Sequence, residues 1–459
     1  MNYNQIKLYS APTSLNLEIT DKCNVKCRHC YNFWREDGYK KESMTKERFD
    51  QLLDQIVDSG IFHIVLTGGE PFLNFKMLEY ACSQLVKNNI SISINSNLMV
   101  TSVDMIKRLC SVGVDHILTS LTSCEEETND YLVQRKGAFK KIVKNIESAI
   151  KNNIRISVNM IVCKNNKNHV YQTGKFVREL GCQKIFGTRT VPPVSTQYGI
   201  EPSEFKITKE DILYVLDQLV RVKEDTGIMI GTLVSYPLCL LGDLEKYKDF
   251  VGRGCPAQAG HRMSLNANGE SHCCVHEEKS YGNVFEIGIR KVYHNMANWH
   301  DKSYRNPKCC GCKYIDICES GCRMSALGYF GSMNAQDPLM TDKNNFTKHF
   351  QFIDEDKLSN ETELKTNFIV PQRLRFRKEK GFYLVNIQWA NTIEVNNEIA
   401  EFLIKFQRTK KPFTLKEFGK EKKNVLMKLF IKRVVESDEV HNVDVEEFCG
   451  LSLDPSKVL

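Results

Sequence analysis

Two groups of cysteines carry the most legible chemistry in this chain. Near its start, CNVKCRHC places Cys23, Cys27 and Cys30 in C-x-x-x-C-x-x-C spacing. Three thiolates on one short loop can grip three corners of a four-iron cluster and leave one iron without a protein ligand. Zinc also accepts thiolates, but a structural zinc site closes with four ligands and usually shows C-x-x-C pairs. Further along, CCGCKYIDICESGC sets Cys309, Cys312, Cys318 and Cys322 in C-x2-C-x5-C-x3-C spacing, with Cys255 and Cys274 upstream. Six cysteines are more than one zinc needs, so a zinc ribbon is the weaker reading there.

The first group directly follows a strand-like run, SLNLEIT (14–20). Similar runs recur at 62–68, 90–95, 114–121, 154–162 and 183–187, separated by amphipathic stretches. In the first of these stretches Phe49, Leu52, Leu53, Ile56 and Val57 follow the i, i+3, i+4, i+7, i+8 stripe of a helix. Six βα units predict an α/β fold with a parallel sheet, a partial (βα)6 TIM-like barrel. Such a barrel gathers its functional loops at the strand C-termini, which is where the cysteine loop falls. Residues 250–345 lose this regularity and turn rich in Cys, Gly, His and Asn, as in a segment held by metal.

The chain has 459 residues, room for two or three domains. The N-terminus has no long apolar stretch of a signal peptide, and no run of about 18 apolar residues is present, so the expected compartment is the cytoplasm, with no membrane partner. In a reducing compartment eighteen cysteines do not read as a disulfide framework. Clustered ones read as ligands, while Cys82, Cys110, Cys163 and Cys182 read as small buried hydrophobes. Charge is uneven. Residues 365–435 hold 17 Lys+Arg against six Asp+Glu, whereas 436–459 hold one Lys against seven acids. An acidic partner is therefore expected at the C-terminal module.

With TGGEP at 67–71 added to the triplet, the chain resembles the radical S-adenosylmethionine (SAM) superfamily. Its departure is His29, where the family carries an aromatic residue before the third cysteine. The resemblance implies a [4Fe-4S] cluster on Cys23, Cys27 and Cys30 and a SAM amino group met by the turn of Gly68, Gly69, Glu70 and Pro71. It implies a ribose-contacting turn at INSN, with Asn95 and Asn97, and a carboxylate held by Ser120 and Arg135. The implied reaction is reductive cleavage of SAM to a 5′-deoxyadenosyl radical that abstracts hydrogen from a C–H bond, fed by a flavodoxin- or ferredoxin-type reductant.

Residues 252–345 are similar to the SPASM extension of radical SAM enzymes, in which seven cysteines hold two auxiliary four-iron clusters. Carried over, one cluster takes Cys255, Cys274 and Cys322, and the other Cys309, Cys312 and Cys318. The family's seventh cysteine is absent. Its place reads QDPLMTDK, which leaves Cys310, Asp337, Met340, Asp342, Cys239, Cys273 or His261 as fourth ligands, or an open iron. Val275 stands where sulfatase-maturing members carry an Asp that acts as the base; valine cannot accept a proton, which disfavours formylglycine formation.

Residues 368–436 combine three strand-like runs with a helical stripe at Ile399, Phe402, Leu403 and Phe406. They resemble the winged-helix-like peptide-recognition domain of ribosomal peptide maturation, related to the chaperone of pyrroloquinoline quinone synthesis. That resemblance implies an acidic leader peptide added as an extra strand, with nucleic acid the lower-ranked partner. The expected organisation is a core barrel (1–240), a Cys-rich SPASM domain (241–350), a linker (351–366), a winged-helix-like α+β domain (367–440) and an acidic tail (441–459). The expected function is hydrogen abstraction from a precursor peptide, installing a thioether or C–C crosslink. The alternatives are a radical SAM enzyme acting on a protein side chain or small molecule, and an iron–sulfur DNA-binding regulator.

Overall fold

The computed structural model describes residues 9–32, 40–192, 205–252, 254–342, 345–350, 367–389 and 391–437. The expected linker at 351–366 and acidic tail at 441–459 lie outside the described residues. The chain divides into two compact units, Met1–His349 and Phe350–Leu459.

In the first unit, β1 (Ser14–Thr20), β2 (His63–Gly68), β3 (Ser91–Ser96), β4 (His116–Ser120), β5 (Arg155–Val162) and β6 (Lys184–Arg189) pair in parallel, each with its neighbour in sequence. The crossovers are α1 (Lys46–Asp58), α2 (Phe75–Lys87), α3 (Val103–Ser111), α4 (Glu126–Val133) with α5 (Ala138–Lys151), and α6 (Val170–Glu179). Beyond the six expected strands, α7 (Lys209–Thr226) leads into a seventh parallel strand, β7 (Met229–Gly231). On the opposite edge β8 (Arg262–Leu265) joins β1 in parallel and β9 (Ser271–His272) follows it antiparallel. The sheet runs β7-β6-β5-β4-β3-β2-β1-β8-β9. Strands of two to four residues are too short to display a period, so only the long ones are visible in sequence.

Register explains why these strands suit a site. Leu15, Leu17, Ile64, Leu66, Ile92 and Ile94 line up on one buried face. Helices cover that face: a Cβ added to Gly187 of β6 meets Leu219 Cδ1 of α7 at 2.5 Å. Because successive strand residues point to opposite sides, the other face carries Asn16, Glu18, Ser93, Asn95, Ser120 and Asn159. A barrel interior this polar is shaped to hold a ligand more than to pack on itself.

Helix α1 starts at Thr45, whose side chain accepts the Arg48 N–H, and buries Phe49, Leu52 and Ile56. Its apolar stripe is narrower than expected, since Val57 is 48% exposed. The flank beside it is used differently. Gln55 Nε2 donates to Val284 O (3.1 Å) and its Oε1 accepts from Ile289 N (2.9 Å), clasping the Cys-rich segment.

A buried ion pair fastens that segment at the far end. Arg189, the last residue of β6, donates through Nη1 to Asp337 Oδ1 (2.8 Å) and through Nη2 to Ser235 O (2.8 Å) and Asp337 Oδ2. Asp337 also accepts the N–H of Cys322 (2.8 Å) and of Leu339 (2.9 Å). Neither side chain is more than 2% exposed.

In the second unit β10 (Phe368–Ile369) pairs antiparallel with β14 (Glu436–Ser437). Strands β11 (Arg375–Lys378), β12 (Phe382–Gln388) and β13 (Asn391–Asn396) form a separate antiparallel sheet in that order. Helix Asn397–Thr409, capped by Asn396, buries Ile399, Leu403 and Phe406 against Phe368, Phe413 and Phe418. The arginines of the RLRFR run (373–377) are engaged within this unit. Arg377 lies buried against Glu379 (2.8 Å), and Arg375 donates to Asn386 Oδ1 (2.6 Å), with burial pulling its pKa down to about 10. Exposed positive charge sits instead on the helical side, at Lys405, Arg408, Lys410, Lys411 and Lys416.

Removing one partner of a buried pair strands the other charge, which costs about 3–5 kcal/mol. Asp337→Ala is therefore expected to lower the urea midpoint of the full-length protein markedly, while Lys46→Ala, in an exposed pair with Asp50, leaves it within error.

Candidate active site and auxiliary cysteine sites

The cysteine loop and the Gly-Gly-Glu turn are built on each other. Gly69 N donates to Thr20 O (2.7 Å) and Glu70 N to Lys22 O (2.8 Å), so the turn closing β2 lies backbone to backbone on the chain leading into Cys23. A Cβ on Gly68, whose φ is +140°, would stand 2.3 Å from Thr20 O; one on Gly69 would stand 2.2 Å from Lys22 O. Sequence reasoning assigns the glycines to close approach of a ligand. The nearest neighbour is the cysteine loop itself, and the glycines set its position.

Glu70 is fully buried and its carboxylate is occupied by the chain. Oε1 accepts from Phe72 N (3.1 Å) and Ser96 Oγ (2.8 Å), and Oε2 accepts from Asn97 N (2.8 Å). Burial pushes its pKa up to about 7. Pro71 opens the single 3-10 turn Pro71–Asn74 and is buried beneath. Asn97 is held in turn: Nδ2 donates to Asn24 Oδ1 (2.9 Å) and lies 4.0 Å from Cys23 Sγ, and Oδ1 accepts from Met99 N (2.9 Å).

Asn95 and Ser120 lie half-buried on the polar strand face, opposite Leu118 and Asn159 respectively. Arg135 is exposed past the end of α4, in a cleft of about 1110 Å³ that it shares with Arg28, Tyr131 and His169. Arg28, between Cys27 and Cys30, ties that region to the cysteine loop. Its N–H donates to Leu132 O (2.8 Å), its Nε to Tyr131 O (3.2 Å), and its guanidinium lies 4.1 Å from the Tyr131 ring centroid.

Several buried polar residues around the loop escape sequence reasoning. Glu18 on β1 is 4% exposed, and burial, with Asp21 and Cys30 nearby, raises its pKa well above the carboxylate range. Asp21 is pushed up to about 6 by burial. Tyr31, just after Cys30, packs on His276 with ring centroids 4.2 Å apart, and His276 Nδ1 lies 3.5 Å from Cys274 Sγ. Burial holds the His276 pKa at about 4. An acid inside an otherwise buried strand, LNLEIT, is the signal that singles out Glu18; nothing in sequence pairs Tyr31 with His276.

In the Cys-rich segment Cys255, Cys274 and Cys322 fall near one another, each within electrostatic reach of the other two. Arg262 stands beside them, its guanidinium pKa lowered by burial. Separately, Cys309, Cys312, Cys318 and Cys239 line one cavity of about 470 Å³. Among the described residues no three His, Cys, Asp or Glu groups converge on a single-ion site; a four-iron cluster takes its thiolates from farther apart than one ion does.

The expected fourth ligands sort themselves by position. Cys310 is exposed and does not line the cavity. Asp337 is ruled out by its ion pair, both oxygens being engaged. Cys273 is buried against Ala257 O and His300. His261 binds the start of β1, where its carbonyl accepts from Thr13 N (3.0 Å) and Ser14 N (2.9 Å) and its ring packs 5.1 Å from Tyr9. Met340 and Asp342 remain at the cavity wall.

Because a methyl at position 69 collides with backbone, Gly69→Ala is expected to displace the cysteine loop. Anaerobically reconstituted protein should then bind no more iron than a variant with Cys23, Cys27 and Cys30 all changed to Ala, at unchanged far-ultraviolet circular dichroism.

Residues 17–177 match the Radical SAM superfamily model. Over 351 residues the chain is 21% identical to the AdoMet-dependent heme synthase of Methanosarcina barkeri, covering 72% of this chain and 97% of that enzyme. It is likewise 21% identical to the PqqA peptide cyclase of Methylocella silvestris, over 72% of this chain and 87% of that one. In fold it is similar to Streptococcus suis SuiB bound to its precursor peptide SuiA, with a TM-score of 0.58 and 18% identity over 72% of this chain and 75% of SuiB. The matched segment contains the cysteine triplet, the Gly-Gly-Glu turn and β2 to β5: residues 17–177 form a radical SAM domain.

Proposed function

We propose that the chain cleaves S-adenosylmethionine reductively and directs the 5′-deoxyadenosyl radical at a residue of a ribosomally made precursor peptide, installing a thioether or C–C crosslink or a related modification. The observation that carries this reading is the convergence of the cysteine loop, the Gly-Gly-Glu turn and Asn97 at the end of a polar strand face. A four-iron cluster held by Cys23, Cys27 and Cys30 supplies, when reduced by a flavodoxin- or ferredoxin-type partner, the electron that splits the sulfonium.

The chain's own residues do the rest. Backbone groups of Gly68, Gly69 and the turn at Pro71 receive the SAM amino group, while the occupied Glu70 carboxylate keeps that turn rigid. Asn95 and Asn97 meet the ribose, and Ser120 and Arg135 hold the carboxylate. Burial on the strand that leads into the cysteine loop raises the pKa of Glu18. The apolar helix-covered face shuts water out from behind. The two SPASM cysteine sets, which would hold auxiliary clusters, belong to the same unit.

A peptide substrate is supported by the likeness to SuiB, whose structure holds a precursor peptide, and by the second unit. There β11 and β13 are the two edges of the three-stranded sheet, the backbone geometry to which an extended leader adds as a strand. The exposed lysines of that unit favour an acidic leader. A second reading, a tetrapyrrole or other small-molecule substrate, rests on the match spanning 97% of the heme synthase.

With dithionite and SAM the reconstituted protein is expected to release 5′-deoxyadenosine, and Cys23→Ala to release none above the enzyme-free level. Absence of release by the wild-type protein would remove every enzymatic reading. A genomically adjacent short peptide is expected to gain a crosslink-sized mass change, whereas turnover of an iron porphyrin in its place would favour the second reading. Removing residues 366–459 is expected to weaken binding of that peptide's leader at least tenfold, about 1.4 kcal/mol; unchanged affinity in a titration would mean that the second unit does not read the leader.

A further inference from the structure

The cavity in the Cys-rich segment is lined by one thiol more than the SPASM spacing supplies. Cys309, Cys312 and Cys318 come from CCGCKYIDIC. The fourth, Cys239, comes from the one-turn helix Leu238–Leu241, 70 residues earlier in sequence than Cys309 and outside the Cys-rich stretch. We propose that Cys239 is the fourth thiolate of the cluster held by Cys309, Cys312 and Cys318, taking the place of the seventh SPASM cysteine that this chain lacks. The inference rests on the reading of this segment as an auxiliary-cluster domain.

Three observations support it. First, Leu238 N donates to Cys318 Sγ at 3.4 Å, which seats the turn carrying Cys239 directly on another sulfur of the set. Second, Thr341 N donates to Cys239 Sγ at 3.4 Å, while Thr341 Oγ1 (2.5 Å) and Asn345 Nδ2 (3.2 Å) both donate to Cys239 O. N–H donors aimed at sulfur stabilise the thiolate and are the contacts that tune cluster sulfurs. Third, the segment after Asp337, where the missing cysteine belongs, contributes those donors. It lies on this wall of the cavity and holds Cys239 there in place of offering a ligand of its own.

The competitors are weaker on chemistry and position. Met340 brings a thioether, a poor substitute for a thiolate on iron, and its sulfur accepts the Asp337 N–H at 3.3 Å. Asp342 is exposed, and Cys310 is exposed and does not line the cavity. Four cysteine thiolates leave this cluster without an open iron. Any open iron for a substrate sulfur then falls to the Cys255, Cys274 and Cys322 site.

The test uses full-length protein in which Cys23, Cys27 and Cys30 are all Ala, so that only auxiliary iron remains, reconstituted anaerobically with iron and sulfide and read by iron analysis and Mössbauer spectroscopy. Into it go Cys239→Ala, Cys239→Ser and Cys310→Ala. The expected result is that Cys239→Ala loses one cluster, about four iron atoms per chain, or converts it to a three-iron form. Cys239→Ser, which conserves size, should keep the cluster but show one iron of it shifted toward oxygen ligation, and Cys310→Ala should match its parent. Iron content and spectra unchanged in both Cys239 variants, or the change appearing in Cys310→Ala, overturns the assignment of Cys239 alone. A parent that binds no iron overturns the auxiliary-cluster reading, and this inference with it.

Discussion

The catalytic end of this molecule depends on two stretches of backbone lying against each other without side chains between them. Thr20–Lys22 and Gly68–Glu70 approach so closely that a single methyl would overlap a carbonyl oxygen. That contact fixes the exit of the cysteine loop from β1, and the Glu70 carboxylate carries it on to β3 by accepting from Ser96 and Asn97. Asn97 then closes the circuit at Asn24, back on the loop. Three strand ends and one loop thus share a single hydrogen-bonded network, and displacing any member shifts the others. A radical site gains from such stiffness, since a misplaced radical reacts with whatever lies nearest.

The second organising interaction is ionic. Arg189 and Asp337 join the end of β6 to the Cys-rich segment and orient the Cys322 backbone. A buried pair of this kind is weak evidence for stability, because desolvation offsets most of its attraction. Its value here is geometric. With Gln55 clasping the segment at Val284 and Ile289, it pins two distant points of the Cys-rich region.

The long parallel strands, the crossover helices and the cysteine triplet beside TGGEP were legible in sequence because each rests on a local period or spacing. The same was true of the helical stripe at Ile399, Leu403 and Phe406. What escaped was long-range. The strands β7, β8 and β9 are too short for a period and owe their existence to the edges they extend. Nothing in sequence singled out Cys239 among the candidate fourth ligands, because its neighbours in space lie 70 or more residues away. The bond from Arg375 to Asn386, eleven residues on, has no local signal either. Asp337 read as a possible ligand until its partner on β6 was in view.

The pairing of β8 with β1 ties both cysteine sites to one sheet. The loop bearing Cys23 leaves one of these strands, and Cys274 follows the hairpin made by the other with β9. Tyr31 and His276 fill the space between, ring against ring. Any shift of one cysteine site relative to the other must therefore strain the ladder hydrogen bonds of a single sheet, which makes the spacing of the two groups a property of the fold.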